Sequence, residues 1–142
     1  MIKSTIRMLE FLAPVSDLAL RLWVANVFFK SGMNKFESMD ITRMLFENEY
    51  AVPFLPPDIA ANLATGVELI FPTLLAIGLA GRFSAGVLFV FNIIAVVSYP
   101  SLNPAGVQQH IMWGIMLLVP FLHGPGKLSI DHLIRKRYMG TD

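Results

Sequence analysis

Apolar and polar positions divide this chain into four long apolar stretches joined by shorter polar segments. Crossing ~30 Å of hydrocarbon as a helix takes roughly 20 mostly apolar residues. On that measure the pattern predicts four spanning helices, over residues 14–33, 59–80, 83–102 and 104–123. The first is the least clean, with Asp17, Arg21, Asn26 and Lys30 inside it. The second carries one charge, Glu68. The third carries none and has Asn92 near its middle, and the fourth opens on Gln108, Gln109 and His110. These runs lack the alternation of a barrel strand, and a helix satisfies its own backbone polar groups where no water can. The expected fold class is all-α: a polytopic four-helix membrane bundle, with residues 1–142 forming a single domain.

The connections are unequal. Residues 34–58 form a long acidic loop ending in Pro53, Pro56 and Pro57. Within it Ile41, Met44, Leu45 and Tyr50 are spaced to give an amphipathic helix one face towards the bilayer. Gly78 and Gly81 mark a helix end, so the second and third helices should form a tight antiparallel hairpin. Pro72 and Pro120 should bend their helices locally. After Gly124-Pro125-Gly126 comes a tail in which Leu128, Ile130, Leu133 and Ile134 accompany Arg135, Lys136 and Arg137. That composition suits a short basic helix lying on the membrane surface.

Composition sharpens the picture. The 142 residues are 55% hydrophobic and 15% charged, with a mean hydropathy of +0.61. A single small soluble core could not hide that much apolar surface. The net charge of +1 gives no reason to expect a nucleic-acid partner. There are no cysteines, which excludes a disulfide framework, a CxxC redox motif and a thiolate metal site on this chain. Lys3, Arg7 and Glu10 interrupt the opening segment, so no removable signal peptide is expected. Lys3, Arg7, Arg82, Lys127, Arg135, Lys136 and Arg137 gather on one side, against Lys35 and Arg43 on the other. By the positive-inside rule both termini are expected in the cytoplasm and the acidic loop outside.

Ionic side chains between membrane helices are costly and are candidates for function. Arg21 and Glu68 both fall near the expected midplane, within reach of each other as an ion pair. The pair either lines a polar pocket or only fixes helix packing. Lys30, Lys35 and Glu37 gather at the outer end of the first helix, with Asn26, Lys30 and Asn34 four apart on one face. They form either an entrance for a polar headgroup or a snorkelling cluster. His110, one turn before Trp113, can titrate or bind a quinone carbonyl. Asn92 and Gln109 either complete a polar pocket with it or tie helices together, and Trp113 can serve as an interfacial anchor. One histidine is not a metal site, and His123 and His132 lie towards the opposite side, so no metal is expected. No phosphate-cradling loop, HExxH or serine elbow is present, and a transporter is disfavoured by the lack of a repeat.

Three segments carry a resemblance. The first is Arg21 with Phe29-Lys30-Ser31-Gly32-Met33-Asn34-Lys35-Phe36. The second is Gly66-Val67-Glu68 with Gly78-Leu79-Ala80-Gly81-Arg82. The third, and the most specific, is His110 and Trp113-Gly114 followed by Gly124-Pro125-Gly126-Lys127-Leu128-Ser129-Ile130-Asp131. Together they resemble the DoxX family over nearly the whole chain. Arg21, Lys35, Glu68, Arg82, His110 and Asp131 match its polar motif positions. The resemblance implies a four-helix protein of the bacterial inner membrane. Family members are associated with a terminal quinol oxidase and with thiosulfate:quinone oxidoreduction. Others are membrane partners of soluble redox-defence enzymes, and distant relatives are assembly chaperones. The expected function is therefore a membrane subunit of a quinone-linked or oxidative-stress system, binding a quinone or lipid-like ligand and docking a soluble partner. Candidate ligand contacts are Arg21, Lys30, Lys35, Glu68, Asn92, Gln109, His110 and Trp113. Expected partners are the lipid bilayer and either other subunits or a homo-oligomer. The alternative is a non-catalytic scaffold or assembly chaperone.

Overall fold

The computed structural model describes residues 2–140 and is all-helical over them. Its elements are α1 (Ile2–Glu37), α2 (Met39–Asn48), α3 (Pro57–Ile77), α4 (Gly81–Ser98), α5 (Pro104–His123) and α6 (Ile130–Met139). Four of them, α1, α3, α4 and α5, are long and apolar enough to cross a membrane.

Helix ends follow local chemistry. α3 starts with Pro57 in its first turn and stops at Gly78, whose left-handed φ of 71° lets its N–H return to the carbonyl of Leu75. α4 was expected to reach residue 102 but ends at Ser98, because Tyr99 precedes Pro100 and is pushed out of the helical region. α5 keeps the expected limits: Asn103 accepts a bond from the Gly106 N–H, and Gly124 ends the helix. α1 departs most from expectation, beginning at residue 2 instead of 14. Pro14 sits inside it. A proline removes one helix hydrogen bond, and the helix formers Met8, Leu9, Glu10, Leu12 and Ala13 carry α1 through that gap. At ~1.5 Å per residue α1 is about 54 Å long, well beyond one bilayer crossing.

The spanning helices pack in the cyclic order α1, α3, α4, α5, and α2 lies against α3. Small and medium side chains fill the centre: Val24, Ala25, Phe28, Leu75, Ala85, Leu88 and Leu117 form one buried cluster. Phe46, Ala60, Ala61 and Ala64 form a second beneath α2. Large apolar side chains such as Trp23, Ile70, Phe83, Ile93, Ile111 and Ile115 point outward. Water would oppose such a surface, whereas lipid tails cover it at no cost. This is a multi-pass membrane bundle.

The expected amphipathic helix of the long loop is α2, with Ile41 and Met44 exposed. Tyr50 does not share that face. It turns inward and stacks edge-on against Phe46 and Tyr99 at 4.9 Å each, while Ala51 N–H bonds to the carbonyl of Ser98. The aromatic contact buries Tyr50 better than an interfacial position would.

Candidate functional site

The expected pairing of Arg21 with Glu68 does not form. Register decides it. A Cβ on Gly32 would stand 2.9 Å from the Glu68 backbone, so Gly32, not Arg21, faces Glu68 across α1 and α3. The eleven-residue step from Arg21 to Gly32 separates the two charges by ~16 Å along α1.

Arg21 serves the end of the bundle where the C-terminal tail packs. Its buried guanidinium donates to the carbonyl of Pro125 and to that of Leu128, at 2.7 Å for the second. Asp131 completes this clip. Its carboxylate accepts from the N–H groups of Ala80 at 2.8 Å and Gly81 at 2.7 Å, the exposed start of α4, and its own N–H bonds to Gly78 O. Ser129 Oγ donates to Gly126 O and caps α6 through the His132 N–H. Space is tight: a Cβ on Gly78 would come within 2.4 Å of Ser129, and one on Gly81 within 2.5 Å of Pro125. The polar groups of the Gly-Pro-Gly tail are thus spent on holding the chain end to the α3–α4 turn and α1.

Glu68 finds Lys35. The Lys35 Nζ lies 2.6 Å from Glu68 Oε2 and also donates to Ser31 Oγ at 2.8 Å. The Glu68 side chain is only 6% exposed and that of Lys35 21%, so the lysine reaches from the C-terminal end of α1 to a carboxylate held between helices.

His110 finds Asn92. The Asn92 amide donates to the His110 carbonyl at 2.8 Å, which leaves its oxygen to accept from His110 Nδ1 at 2.7 Å. That assignment puts the neutral imidazole proton on Nδ1 and leaves Nε2 as a free acceptor. Trp113 stacks against His110 at 4.8 Å and Phe28 at 6.0 Å, fixing the imidazole from the core side. Gln109 and Lys30 are both exposed and lie away from this assembly.

Lys35, Glu68 and His110 border one cavity of about 400 Å³ in the half of the bundle beside α2. The C-terminal end of α1, α2 and the loop after it, α3, α4, the α4–α5 loop and the first half of α5 line it. Its walls are mostly apolar: Phe46, Val52, Ala64, Val67, Phe91 and Ala95. Polar groups converge from several sides, among them Ser31, Tyr50, Ser98 and Tyr99. Sequence reasoning missed these four. Ser31 is readable only as the residue one turn before Lys35, Tyr50 only as a bilayer-facing position, and nothing in the pattern marks Ser98 or Tyr99. Burial, and after it Tyr99, pushes the Tyr50 hydroxyl above the ordinary tyrosine value, so it stays a donor at neutral pH. Among the described residues, the buried Ser98 Oγ has no hydrogen-bond partner. A buried hydroxyl left unpaired beside an apolar cavity is unusual without a ligand group to meet it. The rim residues Leu55, Leu63 and Ile94 are apolar and exposed.

A second cavity, about 570 Å³, lies at the tail end of the bundle between Glu10, Asp17, His123, Lys127, His132 and Arg135. Its walls include Ser129 and Asp131 of the tail clip, whose side-chain oxygens already hold the hydrogen bonds described above. Among the described residues no group of three histidine, aspartate or glutamate side chains is arranged to hold a metal ion.

The architecture has counterparts. The DoxX family model matches residues 16–100, taking in most of α1 and all of α2, α3 and α4; His110 and the tail clip fall outside that segment. An uncharacterized protein of Haemophilus influenzae is 35% identical over 134 residues, covering 87% of this chain and 86% of its own. No solved structure matches. With more than half its length under the family model and a relative aligned nearly end to end, this chain belongs to the DoxX family.

Proposed function

We propose that this protein binds a quinone-class amphiphile from the bilayer in its outer cavity, as the membrane subunit of a redox-associated system whose electrons pass through a soluble partner. The bacterial inner membrane, with both termini in the cytoplasm, is the setting this reading assigns. The observation that carries it is the cavity itself: an apolar slot of ligand size, with a few convergent polar groups and an apolar rim exposed towards lipid.

The residues present fit such a group. A quinone offers two carbonyl acceptors, and the hydroxyls of Tyr50 and Ser98 and the Lys35 ammonium are donors. A quinol offers two hydroxyls, and the Glu68 carboxylate and His110 Nε2 are acceptors. When bound, a quinone supplies two-electron, two-proton chemistry. The chain's part is to hold and orient the ring, keep water from it, and hold protons at Glu68 and His110 Nε2. Asn92 fixes which imidazole nitrogen faces outward, and Phe91 supplies an aromatic wall.

A scaffold or assembly role is the competing reading. It is favoured by the pairing of the two buried charges, since Lys35 meets Glu68 and two tail carbonyls accept from Arg21. Extraction of the purified protein decides between them. Mass spectrometry of its organic extract should find quinone near one per chain. Leu63→Trp, which fills the rim at an already exposed position, should lose most of that quinone while unfolding at the wild-type temperature. A wild-type protein that comes away bare, or a variant with undiminished quinone, contradicts the binding reading.

A further inference from the structure

One face of α1 is fully used: Arg21, Val24, Ala25, Phe28 and Gly32 are buried against the bundle. The opposite face carries Trp23, Asn26, Lys30 and Glu37, all exposed. Asn26 sits nine residues from Asp17, which touches the inner tail loop at Gly126, and nine from Lys35 at the outer ion pair. It is therefore ~13 Å from either end of the span, close to the middle of the hydrocarbon. Among the described residues its carboxamide has no hydrogen-bond partner, and neither Lys30 nor Glu37 has an ion-pair partner. Lipid tails offer these groups nothing, so an unpaired amide at that depth points to a protein surface.

We propose that this face of α1 is a homodimer interface, occupied by α1 of a second copy about a two-fold axis along the membrane normal. The pattern suits a helix pair: Ala19, Trp23, Asn26, Lys30, Met33 and Glu37 alternate at spacings of four and three, the seam of two supercoiled helices. Two copies inserted the same way meet in parallel at equal depth, so Asn26 faces Asn26 of the second copy. A carboxamide both donates and accepts, which makes that contact self-complementary. The same symmetry sets Lys30 beside Lys30 and Glu37 beside Glu37 of the second copy, and the like charges are offset where each Lys30 leans two turns, ~10 Å, towards the second copy's Glu37. Symmetry forms that ion pair twice. A lipid headgroup would satisfy Lys30 at the surface but leaves Asn26 unpaired.

The chain has no cysteine, so introduced thiols are unambiguous reporters. Trp23→Cys and Asn26→Cys, oxidised in native membranes, should give covalent dimer as the main species. Ile93→Cys and Ile115→Cys, exposed on α4 and α5, should stay monomeric. Lys30→Glu should weaken association in detergent roughly tenfold, the scale of one polar contact between membrane helices, and adding Glu37→Lys should restore it. Cross-linking at 23 and 26 no greater than at 93 and 115, or adducts with a different protein, overturns the proposal. So does a double charge exchange that fails to restore association, the result expected if Lys30 only binds lipid headgroups.

Discussion

Lys35→Met should destabilise this protein by about 3–5 kcal/mol, because it strands the Glu68 carboxylate between α1 and α3 with its partner gone. Glu68→Leu should cost less, since Lys35 is partly exposed and can swing its ammonium outward. The double change removes both charges and should fold within about 1 kcal/mol of wild type, as buried ion pairs often do when replaced by apolar residues of similar volume. Thermal unfolding in detergent measures all three. Bound quinone then separates structure from function. On the binding reading the double variant is folded yet depleted of quinone, because both a donor and an acceptor of the cavity are gone. A double variant that keeps its full quinone content reduces the pair to a packing device.

Arg21→Met is the second large effect. The guanidinium is buried, and its two bonds to main-chain carbonyls are what join the tail to α1. Hydrogen bonds from a charged donor contribute about 1.5–3 kcal/mol each, so their loss should cost about 3 kcal/mol or more. Arg21→Lys should recover only part, because an ammonium is a point charge and cannot reach two divergent acceptors as a planar fork does. Tryptic cleavage after Lys127, slow while the tail is docked, should accelerate in step with the fall in unfolding temperature. Cleavage unchanged in Arg21→Met would mean that Asp131 and Ser129 hold the tail by themselves.

These variants also show what was legible in the chain alone. The spans were, because bilayer thickness imposes a length and hydrocarbon imposes a composition, and α5 falls on its expected limits. α1 exceeded its limits because Pro14 looks like a start, yet one lost hydrogen bond does not end a helix of good formers. Arg21, Glu68, Lys35 and His110 stood out as polar groups in apolar stretches. Their partners did not, because pairing depends on helix register, and register was set by Gly32, a residue with no side chain to advertise its contact. Estimating depth from helix ends placed Arg21 and Glu68 together; the true antiparallel offset puts Gly78 beside Arg21 and Gly32 beside Glu68. Tyr50 and Tyr99 were invisible as a site because they come from two loops distant in sequence that meet only when α2 folds back over α3. The Gly-Pro-Gly tail was recognisable as a motif, while its role as a clip needed the geometry of Asp131 at the start of α4.

In vesicles of bacterial lipid, a photoreactive azidoquinone should label this protein on the cavity segments, residues 46–55 and 91–102, with labelling suppressed by excess unmodified quinone and by Leu63→Trp. Labelling confined to the inner end around residues 124–135, or spread evenly over the lipid-facing surface, would contradict it.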